Sequence, residues 1–313
     1  MQNPIHNILI IADLEGSSGC WSYAASAFLT DDWCRACLEM SRDLGSVVGA
    51  LFDAGVKSVI IKDMHRTGYN LFPELIDSRA TIISGYRRGP IAGIGNPNAA
   101  QAVMFLGMHA ASGSDGFLAH TLTSRIARLE VNHRLLSEIE LFAASLAPCG
   151  IRPIFFSGCP VACKQARAVI KNIDCHPIDK SGGPDDFDFN RWRRQLTQAA
   201  VQSLTNYITA PYVPEGPFDA TVTLREGKAL AAKLARRWKL EQEEDQIWIH
   251  ADDIHQLYLQ LIRLCYLTPT AEKILPLALA AFNLRGRMGI WRARQRLRQL
   301  QRMDRRLLHR GSR

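Results

Sequence analysis

The stretch "NILIIADLEGSSG", residues 7–19, decides how the chain begins to fold. Six residues, Asn7–Ala12, are almost continuously apolar and β-branched, which suits a strand covered on both faces. Two carboxylates, Asp13 and Glu15, then follow one residue apart, succeeded by small residues. Side chains alternate along extended backbone, so both acids can point to one side. Two like charges at the mouth of a buried strand form either a turn or a cradle for a cation. The small residues after Glu15 would let a substrate backbone come close.

The same rhythm recurs: "VKSVIIK" (56–62), "AVMFLG" (102–107) and "RPIFFSG" (152–158), with "ATIISG" (80–85) as a weaker fifth strand. Helical stretches alternate with these runs, one of them "DDWCRACLEMSRDLGSVVGALFDAG". The expected fold is α/β, a largely parallel sheet flanked by helices. "EVNHRLLSEIELFAASLA" (130–147) opens a further helix, and "SGGPDDFDFN" (181–190) reads as an exposed loop before the helix "RWRRQLTQAAVQSLTNYI". "APYVPEGP" (210–217) reads as a linker to a smaller C-terminal α+β unit of β-α-β-α order. The expected organisation is a catalytic domain over 1–213, the smaller unit over 214–268 and an Arg-rich helical extension over 269–313.

The chain has 313 residues, enough for a sizeable core, with 47% hydrophobic and 22% charged residues. No cationic leader precedes the first strand and no apolar run approaches a bilayer's thickness, so the expected compartment is the cytoplasm. The eight cysteines are expected reduced there, and "CRAC" (34–37) lies in a helical pattern without a second pair at zinc spacing. The net charge of +8 belongs to the tail. Residues 285–313 hold eleven arginines and one acid, a charge of +10 that leaves about −2 for the rest. With Trp291 and leucines among the arginines, this tail fits a basic amphipathic helix for anionic lipid or nucleic acid. It equally fits an exposed tail, or a helix packed on a neighbouring subunit.

In open α/β sheets ligands bind beyond the carboxyl ends of the strands. Those ends carry Asp13 and Glu15, then Asp63 and His65, then His109. Carboxylates and imidazoles together suit zinc, and the set can hold a pair of ions sharing a bridging carboxylate, with Asp13 as the candidate bridge. No strand turn reads GxGxxG or GxxxxGK[ST], which disfavours a dinucleotide or phosphate site. His120 follows in a loop of small residues that folds back over this edge, as a general base, a nucleophile or a plain loop histidine. Glu138, near a helix start, is either a further ligand or a solvated glutamate.

In order, "ADLEGSSG", "KDMHRTGYN", "TIISGY", "MFLGMHAASGSDGFLAHTL" and "VNHRLLSEIELFA" resemble the M55 metallopeptidases, over roughly residues 7–268. The resemblance implies a dinuclear zinc aminopeptidase acting on short peptides with N-terminal D-amino acids and assembling as a homo-oligomer. It places metal ligands at Asp13, Glu15, His65, His109 and Glu138 and the catalytic residue at His120, with one ion binding the substrate's amino group. Two rival readings keep the same fold: a metal-dependent amidohydrolase on a non-peptide substrate, and a non-catalytic assembly protein. The chain departs from the family pattern at Gly158-Cys159-Pro160 and in the acidic loop around Lys180, segments that would shape the pocket. The tail from 269 lies outside the resemblance.

Overall fold

The computed structural model describes residues 4–206 and 208–310, with side chains described up to residue 300. Six strands, all parallel, form the central sheet in the order β3-β2-β1-β4-β7-β8. They are β1 (Asn7–Ala12), β2 (Ser58–Asp63), β3 (Thr81–Ile83), β4 (Ala102–Met108), β7 (Arg152–Gly158) and β8 (Asp174–Pro177). Between β4 and β7 the chain makes β5 (Ile126–Val131) and β6 (Arg134–Leu135). These join β9 (Phe218–Leu224), β10 (Glu241–Glu243) and β11 (Gln246–Ala251) in an antiparallel sheet of order β10-β11-β9-β5-β6. The antiparallel sheet is therefore built from residues on both sides of position 214.

The helices are α1 (Tyr23–Ser26), α2 (Asp31–Asp53), α3 (Glu138–Leu146), α4 (Pro160–Val169) and α5 (Phe189–Gln202). After them come α6 (Lys228–Trp238), α7 (Ile254–Tyr266), α8 (Pro269–Lys273) and α9 (Leu275–Arg310). Strand alternation explains how one apolar run feeds two cores. Ile8 and Ile10 of β1 bury against one group that includes residues of α2, α5 and α9. Leu9 and Ile11 face the other way, into a group with α3, α4, α6, α7 and the antiparallel sheet. β1 therefore reads as unbroken apolar sequence because both of its faces are covered.

The sequence reading lacks β8 and β10, and two of its helices have other bounds. Residues 130–135 form the β5–β6 hairpin, and the helix starts only at Glu138, after a capping box in which Ser137 and Glu140 satisfy each other's backbone ends. α5 ends at Gln202 in a short turn of 3-10 helix, Ser203–Thr205; Tyr207, inside the expected helix, lies outside the described residues.

The Arg-rich extension is a helix that returns to the body. Ile290 and Ala293 are buried in the core beside α2. Arg296 donates twice to Asp31, at 2.7 Å each, and Arg294 pairs with Glu74 at 3.0 and 3.1 Å. Part of the charge that suggested an anionic partner is thus engaged within the chain. Residues 311–313 of the expected tail lie outside the described residues. Among the described residues no helix is long and apolar enough to cross a membrane, and the eight cysteines are free.

Candidate metal centre

The strand order turns between β1 and β4, and at the carboxyl ends of β1, β2 and β4 the chain gathers buried acids and imidazoles. Two donor groups form: Asp13, Glu15 and His65, and His109, His120 and Glu138, each with ligand atoms within 4.8 Å of one another. Asp13 faces both. Its Oδ1 lies 3.2 Å from His65 Nδ1 and its Oδ2 lies 3.2 Å from His109 Nε2. Glu15 Oε2 sits 3.0 Å from His65 Nδ1, and Glu138 Oε1 sits 3.5 Å from His109 Nε2. The structure brings all six sequence-predicted residues together.

Local structure aims each side chain. Asp13 N–H still bonds to Leu106 O at 2.9 Å, extending the β1–β4 ladder as far as the acid. Gly16 N–H bonds to Gly107 O at 2.8 Å, and a Cβ on Gly16 would fall 2.1 Å from Met108 O. The small residue after Glu15 is therefore used for close packing on β4. Ser17 and Ser18 are likewise turned inward, Ser18 bonding to Asp43 at 2.9 Å. This corrects the expectation that these residues leave room for a substrate.

Asp63, at a strand end like the others, does a different job. It accepts from Asn70 N–H at 2.6 Å and Asn70 Nδ2 at 3.0 Å, while Nδ2 also donates to His65 O at 2.6 Å. Trp33 Nε1 holds Asn70 from behind at 3.0 Å. This clamp sets the loop that carries His65, and no sequence reasoning singled out Asn70.

Each imidazole has one nitrogen beside a backbone carbonyl: His65 Nε2 at Ser26 O (3.1 Å), His109 Nδ1 at Ala110 O (3.1 Å) and His120 Nδ1 at Leu118 O (2.8 Å). A carbonyl only accepts, so these nitrogens carry an N–H and the other nitrogen of each ring is the one that faces the cluster. Lone pairs facing carboxylate oxygens repel unless a proton or a cation stands between them. His109 Nε2 is buried and makes no hydrogen bond despite the carboxylates nearby. An orphaned ring nitrogen among carboxylates, with nitrogen and oxygen donors only, fits zinc.

The electrostatics separate the imidazoles. Burial alone would lower His65, but the Glu15 and Asp13 carboxylates outweigh it and lift the ring to about 10. His109 is raised likewise, burial being outweighed by Glu138 and Asp13. Burial would raise the Asp13 carboxyl, yet the His109 and His65 rings hold it well below the usual range. For Glu138, too, the His109 ring outweighs burial and lowers the carboxyl. His120 goes the other way: burial and the neighbouring His109 both lower it, so it stays neutral. Its ring stacks on His109 at 3.7 Å between centroids, with Nε2 4.0 Å from Glu15 Oε1.

The M55 peptidases, described as D-aminopeptidase, match residues 7–262. The chain belongs to the M55 peptidase family. A curated D-aminopeptidase of Bacillus subtilis (strain 168) is 24% identical over 161 residues, which span 51% of this chain and 59% of that relative. Among solved structures, the chain is similar to the "Zn-dependent D-aminopeptidase DppA from Bacillus subtilis, a self-compartmentalizing protease". That likeness has a TM-score of 0.74 at 20% identity and covers 84% of this chain and 99% of the other. At such identity it establishes the α/β fold.

The six candidate residues line a cavity of about 1230 Å³. Its walls include Met64, Tyr86 and Tyr258, and also residues of α8 and α9 from the Arg-rich extension that sequence reasoning set apart from the site. The signal for them was Leu275, Leu279 and Phe282 at helical spacing ahead of the arginines.

Proposed function

We propose that this protein is a cytoplasmic zinc-dependent aminopeptidase that hydrolyses short peptides bearing N-terminal D-amino acids. Asp13, Glu15 and His65 would hold one ion and His109 and Glu138 a second, with Asp13 bridging and His120 left for catalysis. The observation that carries this reading is Asp13, whose two oxygens face ring nitrogens of two different histidines at equal distance. The D-aminopeptidase description of the family supports the substrate class.

Zinc bound there supplies a Lewis acid for the scissile carbonyl and a water acidic enough to ionise near neutral pH. The chain supplies the rest. His120, with its N–H on Leu118 O and its Nε2 free and neutral, accepts a proton at Nε2 and returns it to the departing amine. Glu138 also accepts the N–H of Leu122 at 2.7 Å, which ties the loop carrying His120 to the carboxylate cluster. A homo-oligomer is part of the proposal, supported by the self-compartmentalizing description of the similar structure.

The test measures bound zinc in purified protein and release of D-alanine from D-Ala-D-Ala, with and without chelator. Activity that survives complete removal of metal refutes the mechanism. His120→Ala is expected to retain zinc and lose turnover; loss of zinc instead makes His120 a ligand.

A further inference from the structure

One face of α9 does two things along its length. Around its middle it is packed tightly: a Cβ on Gly286 would fall 2.3 Å from the Tyr69 ring and one on Gly289 2.3 Å from the Phe28 ring. Ile290 and Ala293 continue that face into the core. Asn283 fixes the helix further by bonding both backbone groups of Tyr86, at 2.9 and 2.8 Å. Counting back from Gly286 in steps of three and four gives Phe282, Leu279 and Leu275 on the same face. These residues line the cavity that holds Asp13, Glu15 and His120: Leu275 and Leu279 are half-buried, and Phe282, its ring centre 6.1 Å from that of Tyr86, remains 36% exposed.

Leu259 and Ile262 of α7, also apolar and partly exposed, line the same cavity. An apolar lining in a cleft that also holds a polar cluster suits an apolar side chain of a bound ligand. At about 1230 Å³ the cavity exceeds what a dipeptide of small residues would fill, since pockets for small ligands hold roughly 300–1,000 Å³. The wall also begins beyond residue 262, where the family match ends.

We propose that the first turns of α9, through Leu275, Leu279 and Phe282, form the specificity wall of the substrate cleft. They select short peptides whose residue beyond the scissile bond carries a large aliphatic or aromatic side chain. The proposal rests on the aminopeptidase reading: with the substrate's amino end held at the histidine–carboxylate cluster, a wall outside that cluster meets the residues that follow.

The experiment compares kcat/KM of the zinc-loaded full chain for D-Ala-D-Leu and D-Ala-Gly, in wild type, Leu279→Ser, Phe282→Ser and Leu279→Met. Wild type is expected to favour D-Ala-D-Leu by about tenfold or more. Each serine variant is expected to collapse that ratio toward one, chiefly through KM, whereas Leu279→Met, which keeps the apolar volume, retains it. Equal use of the two peptides by wild type, or a ratio unmoved by both serine variants, overturns the wall. Turnover of neither peptide overturns the aminopeptidase reading instead. Calorimetric binding of the same two peptides then decides the wall by itself: tighter binding of D-Ala-D-Leu to wild type but not to Leu279→Ser supports it, and equal binding overturns it.

Discussion

Gly107→Ala tests how β4 holds the candidate metal centre. Gly107 has φ +77°, and an added Cβ would lie 2.1 Å from the carbonyl oxygen of Asp13. Gly150 provides the control: its φ is +71° but nothing lies within 4 Å of its Cβ position. Gly150→Ala therefore reports the left-handed backbone alone, about 1–2 kcal/mol. Gly107→Ala adds an overlap with backbone, which cannot rotate aside as a side chain would. Relieving it parts the end of β4 from the Asp13 turn, at about 1–3 kcal/mol of packing strain. It also strains the Gly16 N–H to Gly107 O bond, worth about 1 kcal/mol. The expected cost is about 3–6 kcal/mol, a large part of the roughly 5–15 kcal/mol that holds a native domain together. Urea unfolding of both variants in chelator, followed by tryptophan fluorescence, measures the difference, which is expected to be at least about 2 kcal/mol. Zinc content of the folded fraction measures the second consequence, since displacing Asp13 moves the proposed bridge. Equal midpoints for the two variants refute the close-packing argument. A destabilised Gly107→Ala that binds zinc like wild type refutes the link from β4 to the site.

Lys62 is buried on β2, donating to Gly85 O and lying 4.6 Å from the centre of the Tyr86 ring, and burial lowers its pKa from 10.5 to about 8. Between those values the unfolded chain keeps a proton that the folded chain has released, so stability rises with pH through that window. Relative to Lys62→Met, wild type is expected to gain about 3 kcal/mol between pH 7 and 10.5 in denaturant melts, and parallel curves would contradict this. The docking of α9 should depend on apolar burial more than on its ion pairs. Ile290→Ala is expected to cost about 2–4 kcal/mol. Arg296→Ala, at a pair whose side chains are both 43% exposed, should cost under about 1 kcal/mol. The reverse order in thermal melts would show that charge, rather than packing, holds the helix.

Five strands of the central sheet were legible in residues alone because a parallel strand covered on both faces must be continuously apolar, as Asn7–Ala12 and Arg152–Gly158 are; the edge strand β8, "DCHP", lacks that pattern and was not. The candidate ligands were legible for a related reason: polar residues placed where such a strand stops stand out, and Asp13, Glu15, His65 and His109 do so. The same logic overstated Asp63, because a carboxylate that clamps Asn70 and one that faces a metal look alike in sequence. What only the tertiary structure decided depends on partners far apart in the chain. β5 and β9 pair across the 86 residues that separate Val131 from Phe218, and neither shows its partner in its own pattern. Asp13 acts between two histidines because three strands end side by side, which spacing along the chain does not encode. The extension read as a basic amphipathic helix for an outside partner, or as an exposed tail, because its arginines dominate any local count. Its glycines, Ile290 and Ala293 acquire meaning only against Tyr69, Phe28 and α2, where burial outweighs the charge around them.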